Sequence, residues 1–349
     1  MSIADAFINP YTRFQSVLGV TVQYNLFDFG VRGGNLKLAK EDVLLKELEN
    51  EQKYQKMAMT LLDIYSKLLI VSKQIKLNKE ILSLEEKNLE YYERLAKAKE
   101  ISKTELNDVK AKLGETKNKI SELQSMKQES LNWLSFYTGE EYNIDTLEIK
   151  DITKPNFDVT SYKDYTKSII WKIHEKNIKK KEIELQIAKR MNYPKINVYG
   201  RYYIYGSDKD NYGKSFENIE PSNFSVGASI NMPLFDGFKN SANIQKTSLE
   251  LKQLNIERDK AIAEFMTKLA NLKSNLFYLD EQTDENQIII QELSEKEKSN
   301  KKLCQKKVIT PIEYNNSKIE LLNQEIEFEK NDTTKTSIVK GIQILTEEK

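Results

Sequence analysis

Cysteine, histidine and proline are scarce in this sequence: one Cys (Cys304), one His (His174) and six Pro among 349 residues. A single cysteine excludes a disulfide framework within the chain and a cysteine metal cluster. His174 lies in the charged stretch from Lys172 to Lys181, with no second ligand for a metal and no nucleophile to activate. Trp133 and Trp171 read as packing residues. No apolar run approaches the ~20 residues that a helix needs to cross a bilayer, and the longest, Leu68 to Val71 and Ile288 to Ile290, are core-sized. No Gly-rich phosphate loop is present. Charge of one sign is missing too: Lys+Arg number 54 and Asp+Glu 53, a formal net charge of +1, and a nucleic-acid partner is not expected. Neither a catalytic constellation nor a cofactor nor a metal is expected, and the chain does not read as an enzyme.

What is abundant is interspersed charge, 31% of residues against 39% hydrophobic. From Asn35 to Leu113, and again from Phe238 to Thr310, there is neither Gly nor Pro. This is the composition of long, solvent-exposed helices. A helix of about 65 residues would be ~100 Å long and must be supported laterally by neighbours. Apolar residues recur every seven positions at Leu61, Leu68, Ile75, Leu82 and Leu89, and at Ile262, Leu269 and Leu276. That spacing predicts a coiled-coil seam.

The chain also repeats itself at a constant offset of 208 residues. Leu26-Phe27-Asp28 recurs as Leu234-Phe235-Asp236, Gly19 falls on Gly227, Ile101-Ser102 on Ile309-Thr310, Glu105 on Glu313 and Asn107 on Asn315. Each repeat reads as strand, very long helix, turn and return helix, a tandem duplication. Both turns carry a capping box, Ser102 with Glu105 and Thr310 with Glu313, and Pro311 suits the first helical position.

The segments before the long helices alternate. Ile196, Val198, Tyr202 and Ile204 share a face opposite Asn197, Arg201 and Tyr203. Phe224, Val226, Ala228, Ile230 and Met232 oppose Ser225, Gly227, Ser229 and Asn231. Phe14, Leu18, Val20, Val22 and Tyr24 oppose Arg13, Gln15, Thr21 and Gln23, with Val17 breaking the pattern. Two-faced strands of about ten residues suit a transmembrane β-barrel or an antiparallel sheet with one face on a soluble core. Feeding each strand set straight into a rod favours the barrel. Gly206 to Pro221 reads as the loop joining two strands.

With Tyr193-Pro194-Lys195-Ile196-Asn197-Val198 opening a strand, the two Leu-Phe-Asp motifs and the paired Ile-Ser/Thr-x-x-Glu turns, the chain resembles the TolC-like outer-membrane efflux family. The resemblance implies a mainly α fold with a small β part: a long α-helical coiled-coil barrel plus transmembrane β-barrel strands, as a tandem repeat in a homotrimer. It implies an outer-membrane channel with a periplasmic extension, exporting small molecules or polypeptides in tripartite efflux or type I secretion. Its partners would be a periplasmic adaptor (membrane fusion) protein, an inner-membrane transporter and outer-membrane lipid. The alternative is a periplasmic adaptor or other coiled-coil scaffold without a pore.

The expected division is a first repeat at 1–137, an equatorial segment at 138–165 with a short strand from Asn143 to Ile152, and a second repeat at 166–349 containing a β-hairpin at 195–234. The family has four strands per protomer and this sequence supplies three. With no signal peptide in its first residues, the chain is expected to lack an N-terminal helix and strand. The resemblance places Glu313, Asn316 and Glu105 near a periplasmic constriction, although Glu313 and Glu105 also read as helix caps. It places Lys99, Ile101, Ser102, Lys307, Ile309 and Thr310 at adaptor-contact tips, with Lys99 and Lys307 where relatives carry Gly. Arg201, on the polar strand face, would line the lumen.

Overall fold

The computed structural model describes residues 14–143, 147, 149–154 and 165–346, and only the backbone of residues 221–222. Arg13 and most of 144–164 fall outside this range. In chain order the elements are β1 (Phe14–Phe27), α1 (Val31–Lys97), α2 (Lys103–Thr138), α3 (Ile169–Arg190), β2 (Lys195–Asp208), α4 (Tyr212–Glu217), β3 (Ile219–Asn231), α5 (Lys239–Gln305) and α6 (Pro311–Thr346). The 208-residue offset carries the bounds of α1 onto those of α5, and the bounds of α2 onto those of α6, to the residue. None of the described helices is long and apolar enough to cross a membrane.

The chain folds as two compact units. The first comprises 1–47 and 173–258. Its sheet has the order β1-β2-β3, antiparallel throughout. β2 runs four residues past the alternation at Ile196–Ile204, and α4 and the start of β3 occupy most of the stretch expected to be a loop. The cause is tertiary. Gly206 pairs with Ser16 on one side and Ile219 on the other, and α4 packs on it so closely that a Cβ would collide with the Ser215 carbonyl. Asn211 caps α4, its Oδ1 accepting from Gly213 N at 2.7 Å.

Helix α3 lies beside the starts of α1 and α5. Lys176 and Lys179 hold Glu41 at 2.8 and 2.6 Å, and these two hydrogen bonds lower the Glu41 pKa. Lys181 bridges Glu184 and Glu250, and Arg258 reaches Glu175 at 3.0 Å. Gly34 allows a close approach, because a Cβ there would stand 2.7 Å from Ile187.

The second unit comprises 48–172 and 259–349, and its regular elements among the described residues are all helices. Ile81 and Leu84 of α1 pack against Ile319, Leu322 and Ile326 of α6. Each such side chain contributes about 1.5–3 kcal/mol on full burial. Of the expected heptad stripe on α1, Leu68 is fully buried while Leu61, Ile75, Leu82 and Leu89 are half-buried. A second stripe of the same period, Ile64, Val71, Asn78 and Glu85, is also buried. Its two polar members concealed it in the sequence. By contrast, α5 exposes its counterparts of buried α1 residues: Phe277 is 59% exposed where Leu69 is 4%, and Ile289 is 38% where Ile81 is 3%.

The expected strand from Asn143 to Ile152 is not seen. The described residues of that stretch take no strand. The backbone of Lys150 is satisfied from α1 instead: Tyr65 donates to the Lys150 carbonyl at 2.6 Å and accepts from its N–H at 3.1 Å. Lys73 pairs with Asp151 at 2.7 Å and with Glu329 at 2.7 Å, fixing the segment further.

Candidate functional site

In the sheet, register decides which side chains share a face. Leu18, Val20, Val22 and Tyr24 lie directly opposite Ile204, Tyr202, Gly200 and Val198. Ile196, Val198, Gly200 and Tyr202 lie opposite Ile230, Ala228, Val226 and Phe224. One face of all three strands is therefore apolar. On it, Leu18, Val20, Val22, Phe224, Val226 and Ile230 are exposed. A bulge between Asn25 and Phe27 turns Phe27 onto this face opposite Ile196. Aromatic rings border the face at both ends. Phe27, Phe29 and Tyr193 form an edge-to-face chain with centroids 4.8 and 5.4 Å apart. Phe14, Tyr212 and Phe216 do the same at the other end, at 6.5 and 5.3 Å.

The opposite face is polar, and two glycines shape it. Tyr203 lies over Gly19 of β1 so closely that a Cβ there would overlap its ring. Tyr199 lies over Gly227 of β3, where a Cβ would stand 2.5 Å from its hydroxyl. The repeat had paired these glycines without revealing their purpose, which is to receive two β2 tyrosines on the flanking strands. Arg201 lies on the same face, its guanidinium 4.4 Å from the Tyr199 centroid. Val17, the break in the sequence pattern, also falls on the polar face, opposite Tyr205.

Both Leu-Phe-Asp motifs start helices. Asp28 accepts from the N–H groups of Gly30 and Arg32 at 3.1 and 2.8 Å, and Asp236 accepts from Asn240 at 2.9 Å. The residues between are left-handed in both joints, with the residue types exchanged: Phe29 and Gly30 have φ of 54° and 86°, Gly237 and Phe238 both 65°.

At the helix tips, Lys99 and Lys307 have φ of 60° and 58°. Lys99 N donates to Ala96 O and Glu100 N to Leu95 O, at 3.1 and 3.0 Å. Lys307 N and Val308 N donate to Cys304 O and Leu303 O, at 3.0 and 2.9 Å. These are two Schellman terminations with lysine in the position glycine favours. Both capping boxes then form. Glu105 N donates to Ser102 Oγ at 3.1 Å while Ser102 N donates to Glu105 Oε2 at 2.9 Å. Glu313 N donates to Thr310 Oγ1 at 3.2 Å while Thr310 N donates to Glu313 Oε2 at 2.7 Å. Ser102 and Thr310 are exposed, and Ile101 and Ile309 half-buried. Glu105 and Glu313 thus each meet their own cap residue, on separate tips.

Asn316 belongs to a polar layer that motif reading missed. Asn88 Nδ2 donates to Asn316 Oδ1 at 3.1 Å, and Asn315 Nδ2 donates to Asn88 Oδ1 at 2.8 Å. One turn earlier on α1, Glu85 is buried with Oε2 unpartnered. Burial raises its pKa, opposed by Thr116 and Lys112 and reinforced by Glu115. A cavity of about 200 Å³ adjoins these residues. The only available signal was heptad spacing, Ile81 to Asn88. Trp133 is not core-packed within this chain. It is exposed and stacked edge-to-face on Phe136. Trp171 packs edge-to-face on Tyr165 at 5.4 Å. Among the described residues no group of three or more His, Cys, Asp or Glu could hold a metal.

The sequence profile described as outer membrane efflux protein matches residues 5–140, and no curated protein matches by sequence. By structure, the chain is similar to the outer membrane protein VceC of Vibrio cholerae, with a TM-score of 0.78 at 15% identity, covering 94% of this chain and 79% of that one. It is similar to the CmeC outer membrane channel of Campylobacter jejuni, with a TM-score of 0.70 at 13% identity and coverages of 99% and 80%. It is also similar to the MtrE outer membrane channel of Neisseria gonorrhoeae, with a TM-score of 0.73 at 13% identity and coverages of 97% and 81%. The matched family is one of channels, not enzymes.

Proposed function

With the fold of outer-membrane efflux channels and that family's signature over residues 5–140 as premise, we propose that this chain is one protomer of a homotrimeric export duct. The sheets of three copies close a barrel in the outer membrane, and the long helices form its periplasmic extension. A periplasmic adaptor and an inner-membrane transporter deliver the cargo, and the helix tips at Lys99 to Ser102 and Lys307 to Thr310 meet the adaptor.

The observation that carries this reading is the uncovered apolar face. A soluble sheet would bury such a face, whereas this one is exposed on both outer strands and at Tyr202 of the central one, and edged with aromatic rings. From Leu18 to Leu26 it extends about 27 Å along the strand. Tilted by ~40°, that spans roughly the apolar band of a membrane barrel. Among the described residues β1 and β3 are the outer strands of the sheet, and pairing with neighbouring copies would close it. Two helical hairpins in tandem also fit a duct better than an adaptor.

Membrane fractionation of the expressed full chain, followed by cross-linking, tests the proposal. The expected result is extraction only by detergent and a cross-linked species of three chains. A water-soluble monomer without affinity for lipid would overturn it.

A further inference from the structure

The polar face of the sheet is almost free of charge. Lys195 stands at its helix end, opposite Asn231, and Glu220 at its loop end, opposite Tyr205. Between those ends every polar-face position on the three strands is uncharged except Arg201. The cross-strand partners of Arg201 are Thr21 on β1 and Ser225 on β3, so no carboxylate stands opposite it on the described strands. Its position is fixed from beneath. Tyr199 is seated over Gly227 and the guanidinium stacks on that ring at 4.4 Å. Tyr203 is seated over Gly19 with its hydroxyl 3.3 Å from Thr21 Oγ1. The two glycines thus draw the neighbouring rings toward the flanking strands, leaving Arg201 in the gap between them.

We propose that Arg201 makes the pore select for negatively charged solutes, so that the cargo class is anionic. This rests on the preceding reading, in which the polar face lines a lumen. Each copy then contributes one guanidinium at the same height, and a ring of like charges in a polar pore attracts counter-ions. The Tyr199 ring places no carboxylate against the guanidinium, so its N–H groups can meet carboxylate, sulfate or phosphate groups in transit.

Reconstitution of the full chain in planar bilayers under a KCl gradient tests this through the reversal potential. The wild-type chloride-to-potassium permeability ratio should exceed one. Arg201→Gln should lower it about two- to fourfold at roughly 0.1 M salt, with the difference shrinking at ~1 M as screening shortens the reach of the charge. Arg201→Lys should keep the preference. Thr21→Glu, which leaves the arginine in place and sets a carboxylate opposite it, should lower the ratio as Arg201→Gln does. That second route protects the test against an Arg201 variant that fails to assemble. Steady conductance with a ratio unchanged by both Arg201→Gln and Thr21→Glu overturns this inference alone. Absence of any conductance from wild type overturns the pore reading, and this inference with it.

Discussion

Replacing either tip lysine by glycine should stabilise the protein. Lys99 and Lys307 occupy the left-handed region at φ of 60° and 58°, which costs a residue with a Cβ about 1–2 kcal/mol. Glycine removes that cost but loses more freedom on folding, ~0.5–1 kcal/mol. The lysine charge near a helix C-terminus is worth about 0.3 kcal/mol at an exposed, screened site, and this too is lost. The balance favours glycine by roughly 0.5 kcal/mol per site. Both Schellman hydrogen-bond pairs use backbone groups alone, so glycine retains them. The two sites share no partners, so their gains should add. The assay is unfolding of the detergent-purified full chain followed by helix content, with Lys99→Ala and Lys307→Ala as controls. The alanines lose the charge and keep the Cβ, and should be no more stable than wild type. The double glycine variant should gain about 1–2 °C in Tm. If the glycine variants unfold with the alanine variants, backbone strain is not what limits these tips.

Other outcomes follow from the same geometry. Gly30→Ala or Gly237→Ala, at φ of 86° and 65°, should move stability the opposite way, losing about 0.5–1 kcal/mol each in the same unfolding assay. Glu85→Gln should raise Tm at neutral pH. Burial holds the folded pKa of Glu85 above its unfolded value, so the wild type loses stability as pH rises from the unfolded value through the folded one. The advantage of Gln should therefore be small near pH 4 and grow toward pH 7, and a pH-independent difference would refute the assignment. Gly19→Ala should cost about 1–3 kcal/mol by displacing the Tyr203 ring, read as a lower extraction or unfolding temperature, with Gly19→Ser no better. Phe277→Asp, at an exposed position on α5, should leave the helix content intact while abolishing the three-chain species in cross-linking. An unchanged trimer would show that α5 does not face a neighbouring copy.

The helices were legible because their signal is long: absence of Gly and Pro, a period of seven and matched caps together fixed α1, α2, α5 and α6. The sheet was legible where alternation holds and illegible where pairing overrides it. Gly206, Ser207 and Asp208 have turn chemistry, yet they extend β2 because Phe14, Gln15 and Ser16 pair with them. Helix α4 was invisible for its six residues and its internal Gly213. The stretch around Lys150 failed for a related reason, since its backbone partner is Tyr65, 85 residues earlier. At the tips, Glu105 and Glu313 were correctly read as cap residues, whereas the left-handed backbone of Lys99 and Lys307 was not read, although relatives carry glycine there. The Asn88 layer and Glu85 were missed because a hydrophobic period cannot reveal polar residues placed in register with it.

The exposed face of α5 also bears on assembly. Within the chain, Ile81 of α1 is covered by Ile319, Leu322 and Ile326 of α6. Applying the repeat offset, Ile289 of α5 calls for a cover at Ala111, Gly114 and Asn118 of α2. Ala111 and Asn118 are exposed, and a Cβ at Gly114 would meet nothing within 4 Å. One half of this pseudo-repeated contact is thus large on both sides, while the other has small or exposed residues on α2 and leaves Ile289 of α5 exposed. A contact between different surfaces of successive copies is heterologous and ends only by closing into a ring. Under the duct reading, α5 of one copy therefore meets α2 of the next, and the repeat that duplicates the hairpin within the chain is continued across the interface between chains.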